Sequence, residues 1–301
     1  MGAQLDSRAR TAQSDRMIAT TTRPAPVAPA DHPVLQALLS RPYPAVMGVL
    51  NVTPDSFSDG GKFVAPERAL AQARRMIAEG ADIIDIGAES TRPYGDAQAV
   101  SVEEELNRLR PVLAEIVSLG VPVSIDSMKS SVVAFALDAG AAIANDVWGL
   151  QRDSGMAELL AAHNVPVIVM HNRDRVDADI DIMKDIAAFF TRSLEIAAKA
   201  GIPRGNIVLD PGIGFGKTQE QSITALARLD ELLIFGLSLL VGASRKSFIN
   251  SVVPSEPHRR LGGSIAAHVI AASSGARIIR THDVSETVQA LRVAAAIWDK
   301  R

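Results

Sequence analysis

The chain has 301 residues, is 47% hydrophobic and 22% charged, and carries a formal net charge of -3. It is long enough for one large core or two modest ones, and it has neither the dense Lys/Arg run that a nucleic-acid backbone calls for nor an apolar stretch long enough to span a bilayer. With no cysteine there is no disulfide framework, no thiolate nucleophile and no thiolate-bound metal.

Residues 1–32 mix charges, are rich in Thr, Pro and Ala near their end, and lack the apolar core of a secretory signal. They read as a flexible, disordered tail ahead of a single domain over 33–301, and the cytoplasm is the expected address.

From residue 46 onward, extended and helical patterns alternate. An apolar run, 46–50, empties at Asn51 into a loop crowded with Thr53, Pro54, Asp55, Ser56, Ser58, Asp59, Gly60 and Gly61. Side-chain oxygens this dense, on so apolar a strand, point to a ligand-meeting loop. Helical spacing follows over 67–79 and stops at Gly80, then a second strand at 83–86. Ser101 with Glu104 predicts a capping box at the head of a helix running to about 119, before a third strand at 121–125.

A helix through Val132–Leu137 ends at Gly140, and 142–145 is a fourth strand. Helix 155–163 and strand 165–170 come next, then a long helix, 181–200, closed by Gly201. Strand 207–209, helix 219–233, strand 237–241, helix 261–274, strand 277–280 and helix 285–298 complete the series. Eight strand–helix units, with strands apolar throughout, predict an α/β chain folded as a single (β/α)8 TIM barrel. A doubly wound open sheet is the alternative, and the unit count and length favour the closed barrel.

In such barrels the chemistry sits where strands end. The expected tips are Asn51; Asp85, Glu89, Thr91 and Arg92; Asp126; Asn145 and Asp146; Met170 and His171; Asp210, followed by Phe215 and Lys217; Ser244, Arg245 and Lys246; and Arg280 and His282. Carboxylates and amides dominate strands two, three, four and six. Cations dominate seven and eight, with Arg92 and Lys217 on loops able to lean over the same mouth. A wall of acceptors suits a flat heterocycle with several N–H donors. A cationic wall after the last two strands suits phosphate. A ligand with a donor-rich ring at one end and a phosphate at the other satisfies both. Each residue alone also has a plain reading: Asp126 or Asp210 as a helix cap, Arg280 as a surface ion pair, His171 as a structural histidine.

Read as strings, the tips MGVLNVTPDSFSDGG, IIDIGAESTRP, VSIDS, IANDVWGL, IVLDPGIGFGK, LLVGASRKSFI and IIRTHDV resemble the dihydropteroate synthase family of the folate pathway, in that family's order. The resemblance implies a (β/α)8 barrel that joins 6-hydroxymethyl-7,8-dihydropterin diphosphate to 4-aminobenzoate, often as a homodimer, with sulfonamides as candidate inhibitors. Carried over residue by residue, it implies that Asp126, Asn145, Asp210 and Lys246 meet the pterin. Arg280 and His282 would hold the diphosphate, with Thr91 nearby, and Asn51 would ligate Mg2+. Segments 55–57 and 91–93 would close over the site, with Phe57 and Pro93 flanking the aminobenzoate ring and Ser244 and Phe215 bordering it. Tyr94 departs from the family's Gly after Arg-Pro. A pterin-binding methyltransferase would have no use for a diphosphate, and a catalytically silent barrel would be expected to lack some of these tips.

Overall fold

In the computed structural model, the described residues are 30–53, 64–89 and 100–300. Eight strands run in the order Ala45–Asn51 (β1), Ile83–Gly87 (β2), Val123–Asp126 (β3), Ile143–Asp146 (β4), Val167–Met170 (β5), Ile207–Asp210 (β6), Ser238–Val241 (β7) and Ala276–Thr281 (β8). They close into a barrel in sequence order, every neighbouring pair parallel, with β8 returning to β1.

Strand periodicity sorts the side chains into two cores. Val46, Ile84, Ile86, Ile125, Val167, Leu209, Leu239 and Ile279 point outward and pack against the helix layer. Met47, Ile83, Ile143, Ile168, Val208, Leu240 and Ile278 share a separate inner cluster. Two residues further along the same inward faces stand Asp85, Asn145, Met170, Asp210, Gly242 and Arg280. Apolar packing therefore fills the lower barrel, and the next layer up is polar.

The lower end is closed by an element the sequence reading did not assign, helix Pro33–Leu39. Proline stands in its first turn, where no intrahelical N–H is needed, and His32 Nδ1 accepts the Val34 N–H at 3.2 Å. Its Leu35 and Leu38 join the inner cluster, as does Ala30. Asp31 accepts the Gly205 N–H at 3.1 Å. Ala30 and Asp31 thus pack on the barrel, inside the stretch expected to be tail; residues 1–29 lie outside the described residues.

Two predicted helices are broken. The one after Ser101 forms as Val102–Leu109 and Leu113–Val117, because Pro111 supplies no N–H to carry the ladder. Only half of its capping box forms. Ser101 accepts the Glu104 N–H at 3.2 Å, while the Glu104 carboxylate turns to Arg108. The helix from 219 stops at Ala227 and continues as the 3-10 helix Leu229–Phe235. A short helix, Ser247–Val252, also goes unread in the sequence.

Candidate active site

One cavity at the C-terminal mouth of the barrel is lined by Asp126, Asn145, Met170, Asp210, Phe215, Lys246 and Arg280, with Val147, Gly212, Ile213 and Gly242 between them. Register explains part of the grouping. Gly87, Asp126 and Asn145 are successive cross-strand partners, and Met170 pairs with Asp210. Met170 is buried in the lining; Asp85 is fully buried below it.

The charges are not sorted into two walls. Arg280 reaches across from β8 to the acidic side, with Nε 2.6 Å from Asp85 Oδ2 and Nη2 2.7 Å from Asp126 Oδ2. Asn145 Nδ2 donates to the same Asp85 carboxylate at 3.2 Å. Buried carboxylates this close together need a compensating cation, and a long guanidinium fork from the neighbouring side of a closed barrel supplies it. Burial works against the Arg280 charge, but Asp85 and Asp126 outweigh it and raise its pKa further.

Burial pushes Asp126 up to about 7 against the pull of Arg280, and Asp85 adds to the rise. Asp126 Oδ1 is buried and accepts no hydrogen bond among the described residues. An acceptor of this kind costs free energy until a donor arrives. Burial likewise raises Asp210, against the Gly212 N–H that it accepts at 2.8 Å and the nearby Lys246.

The Gly-rich stretch after β6 forms the floor beside Asp210. Gly212 sits at φ +64, and a Cβ there would lie 2.0 Å from the His171 carbonyl oxygen, so only glycine fits. This approach brings the Ile213 carbonyl to Lys246 Nζ at 2.7 Å, and Lys246 Nζ stands 3.9 Å from the centre of the Phe215 ring.

Four expectations change. Lys217 does not lean over the mouth: it is fully buried behind the loop, its Nζ 2.6 Å from His171 Nδ1. Arg245 is not among the residues lining the cavity. Its backbone is left-handed at φ 58 and its guanidinium forks onto Asp283, Nε at 3.0 Å; its neighbour Lys246 lines the cavity, while Ser244 is buried and is not among the lining residues. His282 is not a cation. Burial, then Arg280 and Arg245, pull its pKa down to about 3, leaving it a neutral hydrogen-bonding ring. Ser244 binds that ring, Oγ to Nδ1 at 3.0 Å, and also accepts the His282 N–H at 3.2 Å. Asp146 caps its own turn, accepting from Trp148 and Leu150, and burial pushes it up to about 6. Asp55, Phe57, Thr91, Arg92, Pro93 and Tyr94 lie outside the described residues.

Sequence reasoning missed the support behind Asp126. Ser127 donates to the fully buried Glu105 at 2.9 Å, and Lys129 bridges Glu105 and Glu89, with Glu89 Oε2 at 2.6 Å. In the sequence Glu105 carries no signal beyond its place in the helix after Ser101; the one hint is a Ser and a Lys just past the β3 carboxylate. Val147, Ile213 and Gly242 carry no polar signal and are found only through the fold.

Among the described residues no three His, Cys, Asp or Glu side chains come together to hold a metal. Asn51, half-buried at the inward-facing end of β1 beside Gly87, offers a single neutral amide oxygen. That donor set fits a Mg2+ that arrives largely coordinated by water and substrate phosphate, and it does not fit a tightly held resident ion.

The sequence pattern of the family described as pterin binding enzyme matches residues 47–282. Over 270 residues the chain is 42% identical to a dihydropteroate synthase of Bacillus subtilis, covering 89% of this chain and 94% of that protein. A crystal structure of dihydropteroate synthase from Clostridium difficile, in the presence of pteroic acid, is similar at TM-score 0.82 and 46% identity, over 85% of this chain and 97% of that one. The Xanthomonas albilineans enzyme with 4-aminobenzoic acid follows at TM-score 0.81 and 42% identity, over 85% and 93%.

Proposed function

We propose a reaction for this chain from the premise that it belongs to the dihydropteroate synthase family of pterin binding enzymes and is a transferase. It joins 6-hydroxymethyl-7,8-dihydropterin diphosphate to 4-aminobenzoate. The amine nitrogen bonds to the exocyclic CH2, the C–O bond breaks, diphosphate leaves with the electron pair, and the amine loses a proton. The observation that carries this reading is the unpartnered, buried Asp126 Oδ1 in a cavity shared with Asn145, Asp210, Lys246 and Arg280. Its natural partner is an N–H of a donor-rich ring.

Asp126, Asn145 and Asp210 hold the pterin edge, and Lys246 reaches the same ring. Arg280 and His282 stabilise the leaving diphosphate, Arg280 by charge and the neutral His282 by donating one N–H. Carboxylates around the ring favour positive charge on it, so the C–O bond loosens ahead of amine attack, along an SN1-like path. Mg2+ on the diphosphate would be held by Asn51 and would neutralise developing anionic charge. Phe215 borders the aminobenzoate, in the pocket where sulfonamides would compete.

Diphosphate release with and without 4-aminobenzoate tests the reaction. Dihydropteroate formed in step with diphosphate supports it, and an inert enzyme with both substrates and Mg2+ refutes it. A normal secondary isotope effect from deuterium at the CH2 supports the dissociative path, and its absence contradicts it. We also read the chain as a homodimer of the cytoplasm. No helix among the described residues is long and apolar enough to cross a membrane. Ile270, Val293 and Ile297 are exposed on helices Leu261–Ser273 and Val284–Trp298, as a pairing face would require. Sedimentation tests the pairing.

A further inference from the structure

Behind the Gly-rich loop runs a line of three polar side chains that the reaction above leaves unused. Lys217 is fully buried; its Nζ lies 2.6 Å from His171 Nδ1, 2.9 Å from the Gly212 carbonyl and 3.1 Å from the Phe215 carbonyl. His171 is fully buried too, and its Nε2 lies 3.0 Å from Asp185 Oδ2. An ammonium that donates to Nδ1 leaves the ring proton on Nε2, donating to Asp185. A carboxylate, an imidazole and an ammonium thus form one path from helix Ile182–Ala200 to the back of the 212–215 turn.

A lysine buried only to staple a turn would be a plain structural feature. What this one grips says more. Between its two carbonyl partners lies Ile213, whose own carbonyl accepts from Lys246 Nζ at 2.7 Å, and the Phe215 ring stands 3.9 Å from that same nitrogen. Gly212 also donates its N–H to Asp210 at 2.8 Å. The contacts that orient Lys246 and Asp210 in the cavity therefore come from the very turn that Lys217 holds.

We propose that Lys217, backed by His171 and Asp185, is a positioning residue whose charged ammonium shapes the 212–215 turn so that Lys246 and Asp210 meet the pterin. The proposal rests on the reaction given above. Charge matters here as well as bulk. An ammonium has three N–H donors for His171, Gly212 and Phe215, and a neutral amine has two, so deprotonation releases one acceptor. Burial pulls Lys217 down to about 7; Asp210 and Asp185 favour its charge, and Lys246 and Arg173 oppose it. Burial holds His171 at about 4, so the ring stays neutral throughout. Removing the Asp185 charge should therefore lower the pH at which the turn loosens.

The test is steady-state kinetics of the full chain from pH 6 to 9 for the parent, D185N, K217M and the double variant, with thermal melts beside them. Asp185 is partly exposed, so D185N is expected to keep the parent melting behaviour. It should move the alkaline limb of kcat/KM for pterin diphosphate down by about half a pH unit, or about threefold in rate on that limb. K217M should lose at least about tenfold, and adding D185N to it should cost nothing further. D185E should restore the limb. A D185N limb that coincides with the parent's, or losses that multiply in the double variant, would overturn the proposal. If K217M does not fold, D185N and D185E decide alone. A parent that makes no dihydropteroate would refute the reaction instead. The 15N resonance of Lys217 in parent and D185N then reads the same titration without turnover, and an unmoved midpoint refutes the path.

Discussion

Replacing Arg280 with Met keeps much of the side chain's length and removes its charge. The guanidinium touches Asp85 at 2.6 Å and Asp126 at 2.7 Å, and those carboxylate side chains are 0% and 7% exposed. Removing one partner of a buried ion pair costs about 3–5 kcal/mol. Part of that cost has an outlet. Asp85 keeps the Asn145 amide, and Asp126 can take a proton. Asp126 in the parent already titrates at about 7, far above a carboxylate in an unfolded chain, because burial raises it and Arg280 only partly opposes. The folded state therefore holds a proton that the unfolded state has lost, and this group makes the parent less stable as pH rises from about 4 to 7. Without Arg280 that window extends above 7. R280M should thus lose about 3–5 kcal/mol at pH 8 and roughly 1–2 kcal/mol less at pH 6, where Asp126 is protonated in both proteins. Urea unfolding at the two pH values measures this. A loss under about 1 kcal/mol, or one that does not change with pH, would refute the pairing argument.

In calorimetry, R280M should weaken binding of pterin diphosphate more than of the unphosphorylated pterin; equal losses would remove Arg280 from the diphosphate. Asp210→Ala should nearly abolish turnover and pterin binding, at least about 100-fold in kcat/KM, and activity within tenfold of the parent would contradict its role. His268 is fully buried with Nε2 unpartnered, and burial pulls its pKa down to about 4. The unfolded chain takes up that proton first as pH falls from 6.5, so stability drops toward pH 4; His268→Leu should flatten the slope by about 1.4 kcal/mol per pH unit, visible in melts over that range. Gly212→Ala would press a Cβ to within 2.0 Å of the His171 carbonyl oxygen at φ +64. It should cost at least about 2 kcal/mol by denaturant titration and lower kcat/KM, and a neutral result would mean that the turn is less tight than described.

The parity of each strand is a property of its own few residues: two steps from Ile83 is Asp85, two from Ile143 is Asn145, two from Val208 is Asp210, two from Ile278 is Arg280. An apolar inner residue followed by a polar one at that spacing already says that both face inward, and eight repeats of strand and helix favour closure over an open sheet. The helix breaks at Pro111 and Ala227 were less legible, because hydrophobic spacing continues through both. Helix Pro33–Leu39 was missed because seven residues beside a low-complexity tail carry little periodic signal.

Which inward groups touch was beyond the sequence. Arg280 and Asp85 stand 195 residues apart, and they meet only because β8 closes onto β1 and a guanidinium is long enough to cross the mouth. Closure turned an expected cationic wall into a mixed cage, and burial rather than residue type set His282 neutral and Asp126 half-protonated near pH 7. The same holds for Lys217. Its position in a Gly-rich loop suggested a hand over the mouth, but glycine's freedom at 212 lets the turn fold back against β5, and that sends the side chain inward to His171. Amino-acid order determined the fold, the inward faces and the kinds of group at the rim, because those follow from short-range periodicity. Charge states and pairings had to wait for the third dimension, because desolvation and Coulomb forces depend on distances that only the closed barrel creates.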